Sequence, residues 1–345
     1  MIKHSILCFI VYTLTFVGLE GRTHSTFSRL FSLEQIFEYK NIKGEFTMKE
    51  KLVMKNKVGK NFILLGIITV LLLSFVAGFN SKSNKVIAKV KAKRPIIIQG
   101  PMPIEAEAFA KKLKNVKEIK SGSFVFYKGT LNNYPVIVEK TGKGMENTAA
   151  ATAIAIEKYN PIAIINQGTS GGHDPNLNVF DIVLGQKTTN IGSLKTANKG
   201  ENGGIDPTIW KPMDLMASEG SAGEDPNAEK PRFYEGDKNL LKAANAVKNK
   251  YTKGKVVEGT IGSADVWNNE VDRIKWFHTK YGTSVEEMEG ASAAQISKAY
   301  NVAFLGIRVL SNNKVNGGAY NPNTATACQE YVFEVVKKYI SMNSK

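Results

Sequence analysis

The chain has 345 residues, of which 43% are hydrophobic, and it carries a formal net charge of +15. This composition is that of a globular protein with room for one large domain or two small ones, and it excludes a disordered chain. Residues 1–94 hold sixteen Lys or Arg and five Glu, so most of the positive charge lies at the amino-terminal end. The rest of the sequence is nearly neutral and has neither a basic helix nor paired Cys/His zinc spacing, which argues against nucleic-acid binding.

The amino-terminal region contains two apolar runs. The second, Phe62–Phe79, follows five lysines and ends in small residues, which is the layout of a secretory signal peptide. Its eighteen residues also reach the lower limit for spanning a bilayer, so an uncleaved anchor stays open. We divide this region into an upstream extension at 1–47, a signal peptide or membrane anchor at 48–79 and a basic linker at 80–94. The expected protein is exported, secreted or anchored outside the cytoplasm, and it contacts a membrane only through this segment.

From residue 95 to residue 345, short apolar runs alternate with helical patterns. This alternation predicts a single three-layer α/β domain with a central, mostly parallel mixed sheet flanked by helices. The stretch at about 190–235 is rich in Gly and charged residues and is expected to be an insertion. Cys328, the single cysteine of this domain, is expected to be a small core residue without a chemical role.

The predicted strands begin with a buried run and include one hairpin whose turn lies at Asn132 and Asn133. In chain order they cover 95–100, the hairpin 123–142, 163–166, 179–186, 255–261 and 301–311. The predicted helices cover 104–114, 147–159, 237–251, 270–282, 284–300 and 326–342. The glycine-rich stretch 167–175 is expected to be a loop.

Four of the predicted strands end in Gly or polar residues. These ends follow Gln99, Asn166, Ile261 and Leu310. Ligands of open α/β sheets bind outside the carboxyl ends of the strands, so the four segments are expected to meet at one site.

Six motifs, taken in chain order, resemble the nucleoside phosphorylase and nucleosidase superfamily. They are "GPMPIEAE" from Gly100, "TGKGMENTAAA" from Thr141, "NQGTSGG" from Asn166, "GSADVW" from Gly262, "EEMEGASAA" from Glu286 and "RVLSN" from Arg308. Among members of this superfamily the chain is most similar to 5′-methylthioadenosine/S-adenosylhomocysteine nucleosidases, over about residues 95–342. The resemblance implies a nucleoside phosphorylase-like fold, an N-glycosyl hydrolase acting on a small-molecule purine nucleoside, no metal or redox cofactor, and a homodimer.

The resemblance also implies roles at the reacting end of the site. Glu105 matches the carboxylate that activates the attacking water. Arg308 matches the arginine that holds the water-activating end. Met288 and Glu289 match the residues that pack on the ribose and accept hydrogen bonds from its hydroxyls.

A second set of residues matches the positions that surround the base. Thr169, Ser170 and Gly171 match the loop beside the water and the base, and Ser311 matches a small residue before the general acid. Trp267 matches an aromatic residue that stacks on the purine. Asn268 is expected to present its backbone to the edge of the base.

Asn312 departs from the family pattern, because the nucleosidases carry Asp at this position and use it to protonate the purine. An Asn side chain cannot supply that proton. Three interpretations stay open: Asn312 recognises a 6-oxopurine, Asn313 or solvent compensates, or the protein binds nucleosides without rapid turnover. The last corresponds to a nucleoside-binding or storage protein with a degenerate site.

A second departure concerns phosphate. Phosphorylases of this superfamily place arginines in the first glycine loop and just before the second, whereas this sequence has Pro101–Ile104 and Asn166–Gln167 there. Hydrolysis is therefore favoured, and a 6-oxopurine nucleoside phosphorylase is the alternative. The 5′ substituent of the substrate cannot be inferred from the sequence.

Overall fold

The computed structural model describes residues 93–212 and 233–343. The predicted extension and the signal or anchor segment lie outside these residues, as does the basic linker apart from Lys93 and Arg94. Among the described residues, none of the helices combines the length and the apolar character needed to cross a membrane.

The strands of the described part are named in chain order. They are β1 (Ile96–Gly100), β2 (Lys114–Ser121), β3 (Phe124–Leu131), β4 (Tyr134–Lys140), β5 (Ala163–Gly172), β6 (Ile182–Asn190), β7 (Leu194–Lys195), β8 (Lys211–Pro212), β9 (Tyr234–Glu235), β10 (Val256–Ser263), β11 (Thr283–Glu287) and β12 (Ala303–Asn312).

The α-helices of the same part are named likewise. They are α1 (Pro103–Ala110), α2 (Met145–Tyr159), α3 (Lys238–Asn245), α4 (Val271–Tyr281), α5 (Gly290–Ala299) and α6 (Thr324–Asn343). Several begin or end where the sequence favours it: Asp237 accepts hydrogen bonds at the start of α3, and α4 ends at Gly282, which has a φ of 65°.

The main sheet is mixed and partly closed. Its strands follow the order β11-β10-β6-β12-β5-β1-β4-β3-β2, and β11 also pairs with β5. The strands β11, β10, β6, β12 and β5 thus form a ring. Within this ring, β12 runs parallel to β5 and antiparallel to β6. The ring closes where the end of β11 pairs antiparallel with the carboxyl end of β5.

Apolar side chains cover both faces of the sheet, as the three-layer prediction requires. Along β1, Ile96 and Ile98 pack in one buried cluster with α1, α3 and α6, while Ile97 packs in another with α2 and α5. The alternation follows from the period of two along a strand. The prediction of a mixed central sheet flanked by helices is confirmed.

The predicted hairpin is confirmed, whereas several boundaries differ. β3 and β4 are antiparallel and join at Asn132 and Asn133, whose φ values of 50° and 58° suit asparagine in a tight turn. The helix predicted over 104–114 ends at Ala110, and β2 begins at Lys114. Cys328 is buried and free, as expected.

Two segments predicted as loop or helix are strands. The glycine-rich stretch after Asn166 continues β5 to Gly172, because β12 pairs along one side of it and β11 along the other. Residues 283–287 form β11, which lies between β10 and β5. All of them except residue 283 were included in a predicted helix. Pairing with neighbours distant in the sequence overrides the local residue preferences in both cases.

The described ends of the insertion predicted at about 190–235 contain little regular structure. They comprise β7 and β8, which pair with each other, a 3-10 turn at Pro207–Ile209, and β9, which pairs with β6. Residues 213–232 lie outside the described part.

Candidate active site

One cavity gathers the predicted site residues from segments that are distant in the sequence. Every predicted site residue except Arg308 lines it. Its lining comprises Pro101, Met102, Glu105, Lys143, Thr169, Ser170, Gly171, Val266, Trp267, Asn268, Glu286, Glu287, Met288, Glu289, Ser311, Asn312 and Tyr320. The four segments expected to meet at one site therefore do so, with the closed part of the sheet bringing in the residues after β10.

Glu105 lies in the first turn of α1 and is only 1% exposed. Its Oε1 accepts hydrogen bonds from the backbone N–H and the hydroxyl of Thr169, both at 2.8 Å. Its Oε2 is buried and has no hydrogen-bond partner among the described residues. Burial raises the pKa of Glu105 above its ordinary value, although the bonds from Thr169 and the charge of Arg308 act in the opposite direction. With one oxygen fixed and one free, this carboxylate suits the removal of a proton from a bound water.

Two glycines let the Glu105 segment pack closely against its neighbours. A Cβ on Gly168 would lie 2.9 Å from Glu105 Oε1, and a Cβ on Gly100 would lie 2.5 Å from the Glu105 carbonyl oxygen. Since real Cβ atoms essentially never approach backbone so closely, glycine is required at position 100, whereas a side chain at position 168 would displace the Glu105 carboxylate.

Arg308 is fully buried and lies behind the cavity wall. Its Nε donates to Glu287 Oε2 at 3.1 Å, its Nη2 donates to the same oxygen, and its Nη1 donates to the Asn166 carbonyl at 2.9 Å. The direct partner of the guanidinium is thus Glu287 rather than Glu105. Arg308 affects Glu105 through its charge and stabilises the loop around Glu287 by direct hydrogen bonds.

A chain of buried amides extends from Arg308 to a second buried carboxylate. The Arg308 guanidinium donates to the side chain of Asn166, which donates to Gln99 at 3.1 Å, and Gln99 donates to Glu139 Oε2 at 2.9 Å. Burial raises the pKa of Glu139 to about 7. This chain fixes the orientation of the Asn166 amide, and therefore of its acceptor oxygen, toward the guanidinium.

Glu289 projects into the cavity at the start of α5. Its Oε1 accepts a hydrogen bond from the backbone N–H of Gly144 at 3.0 Å, and its Oε2 lies 3.9 Å from Arg308 Nη2. Burial, followed by the charge of Glu287, raises the pKa of Glu289 to about 8. A carboxyl group held in this way can hydrogen-bond the two adjacent hydroxyls of a ribose.

Another part of the cavity, here called the base end, has an exposed aromatic surface. The rings of Trp267 and Tyr320 lie 6.4 Å apart and are 60% and 58% exposed. Asn312, which lines the same cavity, is buried. Its Oδ1 lies 3.0 Å from Ser311 Oγ, whose single proton can be donated to it or to the Ser170 carbonyl oxygen at 3.1 Å. Two exposed aromatic rings and a buried amide in one cavity suit a flat, polar-edged base.

Asn268 lines the cavity and donates two hydrogen bonds to Glu286. Its backbone N–H donates to Glu286 Oε1 at 3.1 Å, and its side-chain amide donates to Glu286 Oε2 at 2.5 Å. The contact of its backbone with the edge of a base stays a prediction.

Sequence reasoning missed several residues that line the cavity, among them Glu286, Glu287, Lys143 and Tyr320. The pattern "EEME" was available, but its first two carboxylates read equally well as a favourable helix start. Recognising β11 would have identified them as the end of a strand. Tyr320 gives no sequence signal, because it lies in the irregular segment between β12 and α6.

Within residues 93–212 and 233–343, no group of three or more His, Cys, Asp or Glu side chains is arranged to hold a metal ion. His173 and His278 instead contact residues of the fold. His173 Nδ1 lies 2.7 Å from the Thr283 hydroxyl, and His278 Nδ1 lies 2.6 Å from the Thr283 carbonyl oxygen.

The sequence of the described domain matches a known protein family. The family model described as the phosphorylase superfamily matches residues 95–341. A 5′-methylthioadenosine/S-adenosylhomocysteine nucleosidase of Psychromonas ingrahamii is 30% identical over 216 residues, which are 62% of this chain and 84% of the relative. The enzyme of the same description from Anoxybacillus flavithermus is 29% identical over 218 residues, covering 63% of this chain and 84% of the relative.

A solved structure shows the same fold. The 5′-methylthioadenosine/S-adenosylhomocysteine nucleosidase of Neisseria meningitidis, crystallised with methylthio-immucillin-A, superposes with a TM-score of 0.57. The match covers 71% of this chain and 99% of that chain, at 24% identity.

Proposed function

Because this chain belongs to the phosphorylase superfamily and its cavity contains a buried carboxylate with a free oxygen, we propose that it hydrolyses the N-glycosidic bond of purine nucleosides. Water is the nucleophile, Glu105 removes its proton, and Glu289 with Met288 holds the ribose. The relatives named above are nucleosidases of 5′-methylthioadenosine and S-adenosylhomocysteine, which supports the reaction type.

The observation that carries this proposal is the state of Glu105. Thr169 fixes one carboxylate oxygen, the other is buried without a partner, and burial raises the pKa of the group. Glu139 Oε1 is likewise buried without a partner among the described residues, but of these two carboxylates only Glu105 lines the cavity. The free oxygen is accounted for if a water molecule or substrate hydroxyl occupies the adjacent space.

The charges around the cavity support stabilisation of a cationic ribose. The carboxyl groups of Glu105, Glu287 and Glu289 line it, whereas its cationic lining among the described residues is the exposed Lys143. Cleavage of a glycosidic bond passes through an oxocarbenium-like state, which carboxyl groups stabilise in their ionised form. Glu289, whose pKa burial raises to about 8, contributes a full negative charge only above that pH. The same arrangement disfavours a phosphate dianion, because no arginine lines the described cavity to neutralise it.

The first test is the release of free base from purine nucleosides by the full-length protein in phosphate-free buffer. Glu105→Gln is expected to lower kcat by about a hundredfold to ten-thousandfold, the usual effect of losing a general base. Glu107→Gln is the matched control, because Glu107 lies on the same helix but outside the cavity and is expected to leave kcat unchanged.

Other outcomes would reject parts of the proposal. Base release that requires added phosphate would make the protein a phosphorylase. Equal rates for the wild type and Glu105→Gln would remove Glu105 from the mechanism. Tight nucleoside binding without base release would support the binding or storage function that Asn312 suggests.

We also propose that the protein is exported or membrane-anchored and that it forms a homodimer. The first rests on the apolar run Phe62–Phe79 and its preceding lysines, and the second on the resemblance to the nucleosidases. Fractionation of expressing cells, with the mass of the purified protein in solution, tests both. Recovery in the cytoplasm, or a monomer at micromolar concentration, would contradict the respective proposal.

A further inference from the structure

Asp265 lies two residues after β10, in the irregular segment that carries Trp267, and the proposed mechanism gives it no role. Its carboxylate contacts the start of α2, where Oδ1 accepts a hydrogen bond from the backbone N–H of Met145 at 3.0 Å. Its Oδ2 accepts from the same N–H at 3.4 Å. Since the two residues are 120 positions apart in the sequence, this contact ties two distant segments together.

The start of α2 takes this acceptor from outside the helix. Its N-cap residue is Gly144, which has no side chain to cap the helix. The first N–H groups of an α-helix have no acceptor within the helix, and the helix dipole favours an acidic group beside them. Asp265 supplies such a group to Met145, the first residue of α2.

Two successive backbone N–H groups at this helix start bind two carboxyl groups. The N–H of Gly144 donates to Glu289 Oε1 at 3.0 Å, and the next N–H, that of Met145, donates to Asp265. Gly144 has a φ of 96°, which side-chain-bearing residues rarely adopt, and a Cβ there would lie 3.1 Å from Asp265 Oδ1. Because glycine restricts its own backbone little, the bond to Asp265 helps to fix the direction in which Gly144 donates to Glu289.

The same contact anchors the segment that presents the Trp267 ring. This segment has no regular secondary structure between β10 and α4. Before Trp267, Asp265 accepts the hydrogen bond from Met145. After it, the backbone N–H of Asn268 donates to Glu286 Oε1 at 3.1 Å. The exposed ring is therefore held by contacts on both sides, and Asp265 makes the one that leads to α2.

The charge of Asp265 matters less than its role as an acceptor. Partial desolvation raises the pKa of Asp265, the hydrogen bond from Met145 lowers it, and the neighbouring carboxyl group of Glu146 raises it further. An amide at position 265 would keep an acceptor oxygen for Met145 while removing the charge.

We propose that Asp265 is a positioning residue for nucleoside binding, which holds Trp267 in place for the base and directs the Gly144 N–H toward the carboxyl group that binds the ribose. The inference rests on the proposed binding of the ribose by Glu289. Asp265 acts on binding rather than on the attack of water, because its hydrogen bond in the described part of the chain leads to α2 and not to Glu105.

The test measures KM and kcat of the full-length protein for adenosine or inosine, whichever releases its base faster. Asp265→Ala removes the acceptor, so KM is expected to rise by about fivefold while kcat stays within about twofold. Asp265→Asn keeps an acceptor and is expected to keep KM within about twofold of the wild type. Loss of folded protein would instead lower kcat and leave KM unchanged, and this outcome would overturn the proposal.

Glu146→Ala is the matched control, because it removes a carboxyl group from the same helix start and leaves the bond between Asp265 and Met145. Its KM is expected to stay at the wild-type value. A rise in Glu146→Ala or in Asp265→Asn as large as that in Asp265→Ala would show that negative charge at the helix start is what counts, and it would reject positioning by the acceptor.

A cycle with Trp267→Ala tests the contact through which Asp265 acts. If Asp265 holds the ring, KM in the double variant is expected to rise by less than the product of the two single rises. A rise equal to that product would mean that the two residues act independently and would overturn the proposal.

A binding measurement keeps the inference testable if no nucleoside is hydrolysed. Calorimetric titration of the full-length variants with adenosine is expected to give a Kd about fivefold higher for Asp265→Ala than for Asp265→Asn. That result without base release would support the positioning role and reject hydrolysis. Equal Kd values for the two variants would reject the positioning role, whether or not base is released.

Discussion

The two ends of the cavity are built on different physical principles. At the reacting end, the carboxylates of Glu287 and Glu289 lie around the fully buried Arg308 and accept backbone hydrogen bonds. At the base end, Trp267 and Tyr320 remain more than half exposed. One end is fixed before a ligand arrives, and the other leaves its aromatic surface to be covered by the ligand.

This difference indicates which properties of the site can change independently. Moving any carboxylate at the reacting end disturbs a network of buried charges, so its geometry is tied to the stability of the fold. Exchanging the Asn312 amide for a carboxylic acid alters its contact with Ser311 and leaves the exposed rings of Trp267 and Tyr320 unchanged. The attack of water and the choice of base are therefore separable, and the following substitutions test that separation.

The largest effect is expected from removing Arg308. Arg308→Met leaves Glu287 buried without its cationic partner, and the free energy of unfolding is expected to fall by about 3–5 kcal/mol. Chemical denaturation at neutral pH measures this. Lys250→Met breaks the exposed ion pair with Glu334 and is expected to cost less than about 1 kcal/mol.

The double variant Arg308→Met with Glu287→Gln checks the cause. Removing the Glu287 charge, which Arg308→Met leaves without its direct partner, is expected to restore part of the lost stability. A loss below 1 kcal/mol in the single variant, or no recovery in the double variant, would show that the reacting end is not held by its charges.

The strands at the site illustrate what could be predicted from the sequence. The buried runs at β1 and β12 are recognisable because parallel strands covered on both faces are continuously apolar. The stretch after Asn166 is not recognisable as a strand, since its glycines have low strand preference and it is fixed by backbone pairing with β11 and β12. Closure of the sheet depends on this pairing, which is why the sequence predicted a single edge rather than a ring of strands.

The site residues divide in a similar way. The motifs that resemble the nucleosidases pointed to Glu105 and Glu289, and the structure places both in the cavity, while their roles stay predictions. Arg308 does not line the cavity, because Glu287, to which it donates hydrogen bonds, does so in its place. The spacing of residues along the chain does not show which of two neighbouring side chains faces a ligand.

The next largest effect is expected at the base end, from Asn312→Asp. A carboxylic acid at this position can protonate the purine as it leaves, so kcat for adenosine and 5′-methylthioadenosine is expected to rise by about a hundredfold. Initial rates of adenine release measure this, and Asn323→Asp, an exposed position, is the control. An unchanged rate would show that protonation of the base does not limit the reaction.

The smallest effect is expected from Trp267→Ala, and it tests whether the open end binds the base by stacking. Loss of the ring removes base–aromatic contact worth about 1–3 kcal/mol, so KM for any purine nucleoside is expected to rise by about tenfold. Because Glu105, and not Trp267, is the proposed general base, kcat is expected to stay within about twofold. Tyr300→Ala removes a comparably exposed aromatic side chain outside the cavity and is the matched control. A fall in kcat with an unchanged KM would mean that the base end is coupled to the attack of water, and the two ends would then have to be treated as one preorganised site.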